Sequence, residues 1–444
     1  MARRFFGTDG IRGVAREAPL DELTIFAVGT ALGEWVMESG REPSVVIGMD
    51  TRESGPWIAS LIAGGLARHS VTVDFAGVTT TPGVAYLSKT GPFAAGVMIS
   101  ASHNPFQDNG IKVIDHSGYK LPDDVEEQIE AGILRALSSG AEPAPAELTA
   151  DPGLDRSYAD HLASTVPAGL AGFDIVIDCA NGGAYSLAPG LFESLGAKVH
   201  AIGVAPNGRN INLNCGSLHL DNLRETVLAR GAQLGVAFDG DADRALFVSH
   251  SGRIVDGDAV LLVNGRDLQS AGRLNGVVVA TLMSNLGLEK ALAADGIQLI
   301  RTPVGDKYVL ADMLERGAIL GGEQSGHVIF LDHATTGDGL LTALRVMDVM
   351  RRTGRTLDEL TAGMQIYPQL LVNVRVKERK PLDQLPGVRA AVAAVEESFA
   401  GAGRVNVRFS GTEPLARVMV EGPDMESVRT AAERIASEIR AELG

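Results

Sequence analysis

Apolar residues in this chain come in short runs of about five, and most runs are followed by a stretch with one apolar face at helical spacing. That alternation persists to about residue 366 and is the pattern of buried parallel strands covered by helices, so the fold class read from it is α/β. In a first block Val45-Val46-Ile47-Gly48-Met49 and Gly96-Val97-Met98-Ile99 read as strands, and residues 56–69 and 122–137 as helices. Residues 138–145, small and proline-rich, have linker composition. A second block carries strands at 174–178 and 234–238. A third carries strands at 276–280 and 298–300, a helix over 284–294, and Ile319-Leu320 as its last strand. From about Tyr367 the pattern changes: Leu371 to Val376 and Val405 to Phe409 alternate as half-exposed antiparallel strands do, and residues 425–443 read as a helix. The expected organisation is three similar mixed α/β domains, 1–152, 153–253 and 254–366, followed by a smaller α+β C-terminal domain, 367–444. At roughly 150 residues per domain, a 444-residue chain suggests about three domains, or four small ones.

Charge narrows the partners. Lys and Arg total 39 against 55 for Asp and Glu, a formal net charge of −16, so general attraction to nucleic acid or to an anionic membrane is not expected. Any bound anion needs a locally basic pocket. No window approaches the run of about 18 apolar residues that crosses a bilayer. The basic start is interrupted by Gly7-Thr8-Asp9-Gly10 before an apolar signal core forms, which makes the expected location cytoplasmic. Cys179 and Cys215 lack metal-binding spacing and read as two reduced thiols.

The most informative cluster is Asp239-Gly240-Asp241-Ala242-Asp243-Arg244, directly after an apolar strand. In extended backbone, side chains at i, i+2 and i+4 point the same way. At about 6 Å and an effective dielectric near 20, each carboxylate pair would repel by roughly 3 kcal/mol. A hard divalent cation, Mg²⁺ by preference, relieves that repulsion; three solvated turn aspartates are the alternative. An EF-hand is excluded, because Arg244 and His250 stand where its Gly and Glu belong.

Ser100-Ala101-Ser102-His103-Asn104-Pro105 follows another buried strand, at the end where open α/β sheets place ligands. It is not the nucleophile elbow of acyl-transfer hydrolases. Ser102 is a candidate phosphoryl carrier, with a simple Ser/Asn turn as the alternative. The loop 321–327 (GGEQSGH) mixes glycines with a carboxylate, an amide, a hydroxyl and an imidazole, which suits sugar hydroxyls or a plain polar connection. Residues 408–414 (RFSGTEP), with Arg417 beyond, carry guanidinium groups, hydroxyls and turn N–H groups, the inventory of a phosphate cradle or of a decorated hairpin turn. Arg12 lies on one more glycine-rich loop. No Gly-Lys dipeptide exists for a Walker A motif, and no dinucleotide fingerprint is complete.

In this order, FGTDGIRG at 6–13, ISASHNPFQDNGIK at 99–112, DGDADR at 239–244, GGEQSGH at 321–327 and RFSGTEP at 408–414 closely resemble the α-D-phosphohexomutase family. Its serine, metal, sugar and phosphate loops come one per domain, around a central cleft that holds the active site. The resemblance implies an isomerase, an intramolecular phosphotransferase. The forms are most similar to bacterial members that interconvert glucosamine 6-phosphate and glucosamine 1-phosphate on the route to UDP-N-acetylglucosamine and peptidoglycan. A phosphomannomutase/phosphoglucomutase of the same family is the alternative.

By motif position the resemblance implies Ser102 as the phosphoserine, with Ser102, Asp239, Asp241 and Asp243 around one Mg²⁺. It places Arg12, Lys112, His103 and Arg244 beside the transferring group, and His327 as an acid or base. Glu323 and Ser325 would hold sugar hydroxyls. Thr302, Gly305, Arg408, Ser410, Gly411, Thr412 and Arg417 would hold the distal phosphate. A sugar 1,6-bisphosphate is the implied intermediate and activator, Gln324 is the residue associated with glucosamine, and a homodimer is the assembly the resemblance allows.

Overall fold

The computed structural model describes residues 5–7, 9–378, 380–381, 384–410 and 414–444. The chain divides into two compact units, residues 1–279 with 305–362, and residues 280–304 with 363–444.

The first unit opens with a sheet of β1 (Ile11–Val14), β2 (Ser44–Met49), β3 (Thr72–Val78), β4 (Ala95–Ile99) and β5 (Asp108–Asp115), ordered β1-β5-β4-β2-β3. β2 runs parallel to β3 and β4, whereas β5 is antiparallel to both β4 and β1. The sheet is therefore mixed, not wholly parallel as the apolar runs suggest. β5 escapes that reading because Asn109 and Lys112 interrupt its apolar pattern. Both faces are covered. Val45, Ile47, Val97 and Ile99 pack in one core with α1 (Glu22–Glu38), α2 (Gly55–Ala67) and α4 (Asp123–Ser138), while Val46, Met98 and Ile114 pack in another with α3 (Thr81–Thr90). The period-2 alternation of a strand buried on both sides makes this split, and each such side chain is worth about 1.5–3 kcal/mol.

Local signals start the helices: Asp21 accepts from Thr24 N–H and Thr80 from Gly83 N–H as N-caps. α1 and α2 meet through glycines, for a Cβ on Gly29 would lie 2.2 Å from the Ile62 carbonyl oxygen. The linker-like stretch after α4 is pinned down rather than free, since Ala146 N–H donates to Ser60 O (2.9 Å) and Asp151 N–H to Phe75 O (2.8 Å).

A second sheet repeats the first. After α5 (Pro152–Ser164) come β6 (Asp174–Asp178), α6 (Leu187–Ser194), β7 (Lys198–Ile202), α7 (Asp221–Arg230), β8 (Leu234–Phe238), β9 (Ala245–Ser249) and β10 (Ile254–Val255). Their order is β10-β9-β8-β6-β7, again with parallel strands to one side and an antiparallel pair to the other. In both sheets the loop carrying chemistry joins the last parallel strand to the antiparallel one: β4 to β5 and β8 to β9. α8 (Gly257–Ser270) follows, then β11 (Val277–Thr281), inside which the two units divide.

α9 (Leu286–Ala294) and β12 (Gln298–Thr302) belong to the second unit, and the chain then returns to the first with α10 (Asp306–Arg316). β13 (Leu320–Gly322) does not end this block, because β14 (Val328–Phe330) pairs back on it antiparallel, with residues 323–327 at the tip. α11 (Gly339–Thr353) and α12 (Leu357–Leu360) complete the first unit.

The rest of the second unit is β15 (Gln369–Arg375), α13 (Pro386–Phe399), β16 (Arg404–Phe409), β17 (Leu415–Glu421) and α14 (Met425–Leu443). The sheet is antiparallel, ordered β15-β17-β16, with Val418 and Val420 of the central strand packed in one core with Val428, Ile435 and Ile439 of α14. Among the described residues no helix is long and apolar enough to cross a membrane.

Candidate active site

Ser102 leaves β4 in left-handed backbone, φ +53°, and is 2% exposed. Its Oγ donates to Asp239 Oδ2 at 2.5 Å and lies 3.4 Å from His103 Nδ1. Behind it, Ser102 N–H donates to Ser100 Oγ (2.9 Å), which donates to Asp50 Oδ2 (2.6 Å). The fully buried Arg52 fans its guanidinium over the carbonyls of Ser102, Asn104, Pro105 and Asp108.

The three aspartates converge, but on a turn rather than along extended strand. Ala242 N–H donates back to Asp239 O at 3.1 Å with Ala242 at φ +54°. One carboxylate oxygen from each of Asp239, Asp241 and Asp243 falls within 4.8 Å of the other two. Gly240 permits the approach to the serine loop, since a Cβ there would sit 2.4 Å from Ser102 O. Asp241 Oδ2 accepts from Thr81 Oγ1 (2.5 Å) and from Lys112 Nζ (2.7 Å) on β5. Lys112 Nζ is also 3.8 Å from Asp243 Oδ2 and 3.4 Å from Asp9 Oδ2.

Burial, then the charges of Asp243 and Asp241, push Asp239 well above the carboxylate range. Burial works in the same direction on Asp243, but Lys112, a hydrogen bond from His327, and Arg244 hold it below that range. For Lys112, burial alone would depress the ammonium; Asp241, Asp9 and Asp243 raise it instead, so it stays charged. Oδ1 of Asp241 and Oδ1 of Asp243 are buried with no hydrogen-bond partner among the described residues. Orphaned carboxylate oxygens beside a carboxylate that favours a proton fit a hard divalent cation, which can replace that proton and coordinate those oxygens.

Around this centre, Arg12 on β1 reaches Ala101 O at 3.4 Å and pairs with Asp9. His103 is pushed down by burial and then by Arg244 and Arg12, which favours neutral imidazole. Lys120 joins Asp9 Oδ1 (2.5 Å) to Asp306 Oδ2 (2.6 Å).

The loop at the β13–β14 tip is seated by Gly326 O accepting from Ala245 N–H (3.1 Å) and Gln324 O accepting from Gly257 N–H (3.0 Å). Glu323 Oε1 accepts from Gly305 N–H (3.2 Å), and Ser325 Oγ is buried with no partner among the described residues. Gln324 directs its side chain to Asp256, the N-cap of α8. His327 is 2% exposed; its Nε2 accepts from Gly337 N–H (3.1 Å), leaving the Nδ1 proton on the side of Asp243, 3.6 Å away.

In the second unit Arg408 of β16 and Arg417 of β17 stand opposite each other in register. Burial and then Arg417 push Arg408 down. Like charges directly opposed across a sheet are destabilising, and an anion between them relieves the repulsion. Ser410, 3% exposed, donates its N–H to Leu415 O (2.8 Å), and Thr302 Oγ1 donates to Pro303 O (2.8 Å). Gly411 and Thr412 lie outside the described residues.

Ser102, His103, Lys112, Arg12, Arg244, His327, Glu323, Ser325, Gly305 and the three aspartates thus belong to the first unit; Thr302, Arg408, Ser410 and Arg417 belong to the second. Asp50, Arg52, Thr81, Asn212 and Lys120 also join the site from outside the five motif segments. Asp50-Thr51-Arg52 carried a usable signal, charged residues at the carboxyl end of the buried strand β2, where α/β sheets gather ligands. Thr81 and Asn212 carried none.

Four family models, together named phosphoglucomutase/phosphomannomutase, match the chain. They are alpha/beta/alpha domain I at residues 3–139, domain II at 156–252, domain III at 256–367, and the C-terminal domain at 371–438. Phosphoglucosamine mutase of Solibacter usitatus is 59% identical over 445 residues, covering 100% of both chains. The protein of that name from Koribacter versatilis is 50% identical over 454 residues, covering 100% of this chain and 98% of its own. A phosphoglucomutase/phosphomannomutase family protein from Burkholderia thailandensis shares the fold with a TM-score of 0.82 at 23% identity, over 98% of this chain and 97% of that one. With three α/β/α domains, a C-terminal domain and relatives alike from end to end, the chain belongs to the phosphoglucomutase/phosphomannomutase family.

Proposed function

We infer that the protein interconverts glucosamine 6-phosphate and glucosamine 1-phosphate, supplying UDP-N-acetylglucosamine and peptidoglycan precursors. The observation that carries this reading is Ser102 Oγ, 2.5 Å from Asp239 inside a buried acidic triad, in a chain 59% identical end to end to a phosphoglucosamine mutase.

Asp239, Asp241 and Asp243 are the residues that would hold Mg²⁺, whose charge, when bound, would offset that of the phosphoryl group. Ser102 Oγ carries that group and exchanges it with either end of the sugar, by way of a 1,6-bisphosphate that turns over before the second transfer. Lys112, kept charged by Asp241 and Asp9, and Arg244 supply fixed positive charge, so catalysis is mainly positioning and electrostatics. Arg12 and neutral His103 orient the serine loop. Glu323 and the Ser325 hydroxyl, unpartnered among the described residues, bind sugar hydroxyls. His327, with its proton toward Asp243, steadies that carboxylate. To the second unit we assign phosphate binding, through Arg408 and Arg417 with Thr302, Ser410, Gly411 and Thr412.

Comparing kcat/KM for the 6-phosphates of glucosamine, mannose and glucose tests the substrate. Glucosamine 6-phosphate should be preferred, and a preference for mannose 6-phosphate overturns the assignment.

A further inference from the structure

A residue with a Cβ pays for left-handed backbone, so Ser102 at φ +53° keeps that conformation only because its surroundings hold it there. Arg52 supplies most of the hold. Its Nη2 donates to Ser102 O and Asn104 O, both at 2.9 Å, and its Nη1 donates to Asp108 O at 2.9 Å and to Pro105 O. Nε donates to Asp50 Oδ2 at 2.9 Å, and that oxygen also accepts from Ser100 Oγ. Asn212 Nδ2 doubles two of these bonds, to Ser102 O (2.9 Å) and Asn104 O (3.0 Å). Four carbonyls of one loop are thus gathered on a single guanidinium, whose planar fork fixes its donor directions in a way an ammonium cannot. The side chain is wholly buried and touches neither Ser102 Oγ nor the acidic triad through any of these bonds.

We propose that Arg52 is a positioning residue for phosphoryl transfer: it clamps the backbone of residues 102–108 so that Ser102 Oγ is aimed at Asp239. The proposal rests on the reading of Ser102 as the phosphate carrier. A group that acts only on the aim of the reacting oxygen should change kcat and leave KM alone, and a displacement of about 1 Å can cost roughly 100-fold.

The experiment compares the parent enzyme, Arg52→Lys and Ser102→Ala. It measures kcat and KM for glucosamine 6-phosphate, thermal stability, and, for enzyme first freed of phosphate by a phosphatase, the rate at which intact mass rises by one phosphate on mixing with glucosamine 1,6-bisphosphate. Arg52→Lys should keep KM within about twofold while kcat and phosphate uptake fall together by about 100-fold. A folded Arg52→Lys protein with a lowered Tm but kcat within about threefold of the parent makes Arg52 merely structural and overturns the proposal. Should Arg52→Lys fail to fold, Asn212→Ala decides: a fall of about tenfold in kcat at unchanged KM supports the clamp, and an unchanged kcat refutes it. A parent enzyme that takes up no phosphate, with Ser102→Ala fully active, brings down the reading of Ser102 and this proposal with it. Phosphate uptake by the parent beside an unimpaired Arg52→Lys brings down the proposal alone.

Discussion

Ser102, Asp239, Asp241 and Lys112 are almost completely buried, and a polar group so placed is tolerated only when partners offset its lost hydration. Each is therefore tied to another: the Ser102 hydroxyl to Asp239, the Lys112 ammonium to Asp241. Ser102→Ala removes one hydroxyl from a carboxylate that burial already drives toward its neutral form. The variant should fold normally and lose at least about 1,000-fold in turnover; intact mass should show a phosphate on the parent that the variant lacks. Asp241→Asn takes a negative charge from the triad and from Lys112 together. Its Mg²⁺ requirement, read as the activity midpoint in a metal titration, should rise by about tenfold or more, and an unshifted midpoint removes Asp241 from the metal set. At this scale the sequence was legible for the convergence of Ser102 with Asp239, Asp241 and Asp243, whose side chains come from two motif loops. It was silent for Thr81 and Asn212, whose partners lie 160 and 110 positions away.

Helix ends and helix crossings carry the next level. Asp338 caps α11 through Leu341 N–H and accepts from Tyr158 Oη at 2.7 Å. Burial dominates and pushes its carboxyl up to about 6 from an ordinary 3.8, against the hydrogen bonds that favour the anion. A raised acid stabilises the fold fully below its unfolded value and loses that contribution as pH rises through the folded one. Between about pH 4 and 6 this group alone should cost about 3 kcal/mol. Asn caps as well as Asp, so Asp338→Asn should flatten the pH dependence of stability in that window, measured by urea unfolding at several pH values. At the α1–α2 crossing, Gly29→Val sets a Cβ 2.2 Å from the Ile62 carbonyl oxygen and should destabilise the protein by about 3 kcal/mol. The elements themselves were read well where apolar runs were uninterrupted, as in β2, β6 and β8. β5 and β17 were hidden because polar residues, Asn109 and Lys112 in one and Arg417 in the other, break the pattern a buried strand normally shows.

For the whole molecule, a net charge of −16 makes the buried triad a local excess in an already acidic chain. Divalent metal should therefore stabilise the fold as well as enable the reaction, by about 2.7 kcal/mol when its concentration is 100 times its dissociation constant. Chelation should lower Tm, Mg²⁺ should restore it, and Asp241→Asn should need about tenfold more Mg²⁺ for the same gain in Tm. The sequence by itself determined the alternation of strands and helices, the antiparallel pattern of the last stretch, and which polar residues each motif loop offers, because all of these are written in consecutive residues. Only the tertiary structure decided that two sheets share one strand order, that the aspartates meet on a turn, which of them favours a proton, and that Arg52 from one loop holds the backbone of another. Those outcomes depend on burial and on contacts between segments distant in the chain, and strand order, not local composition, sets which segments meet.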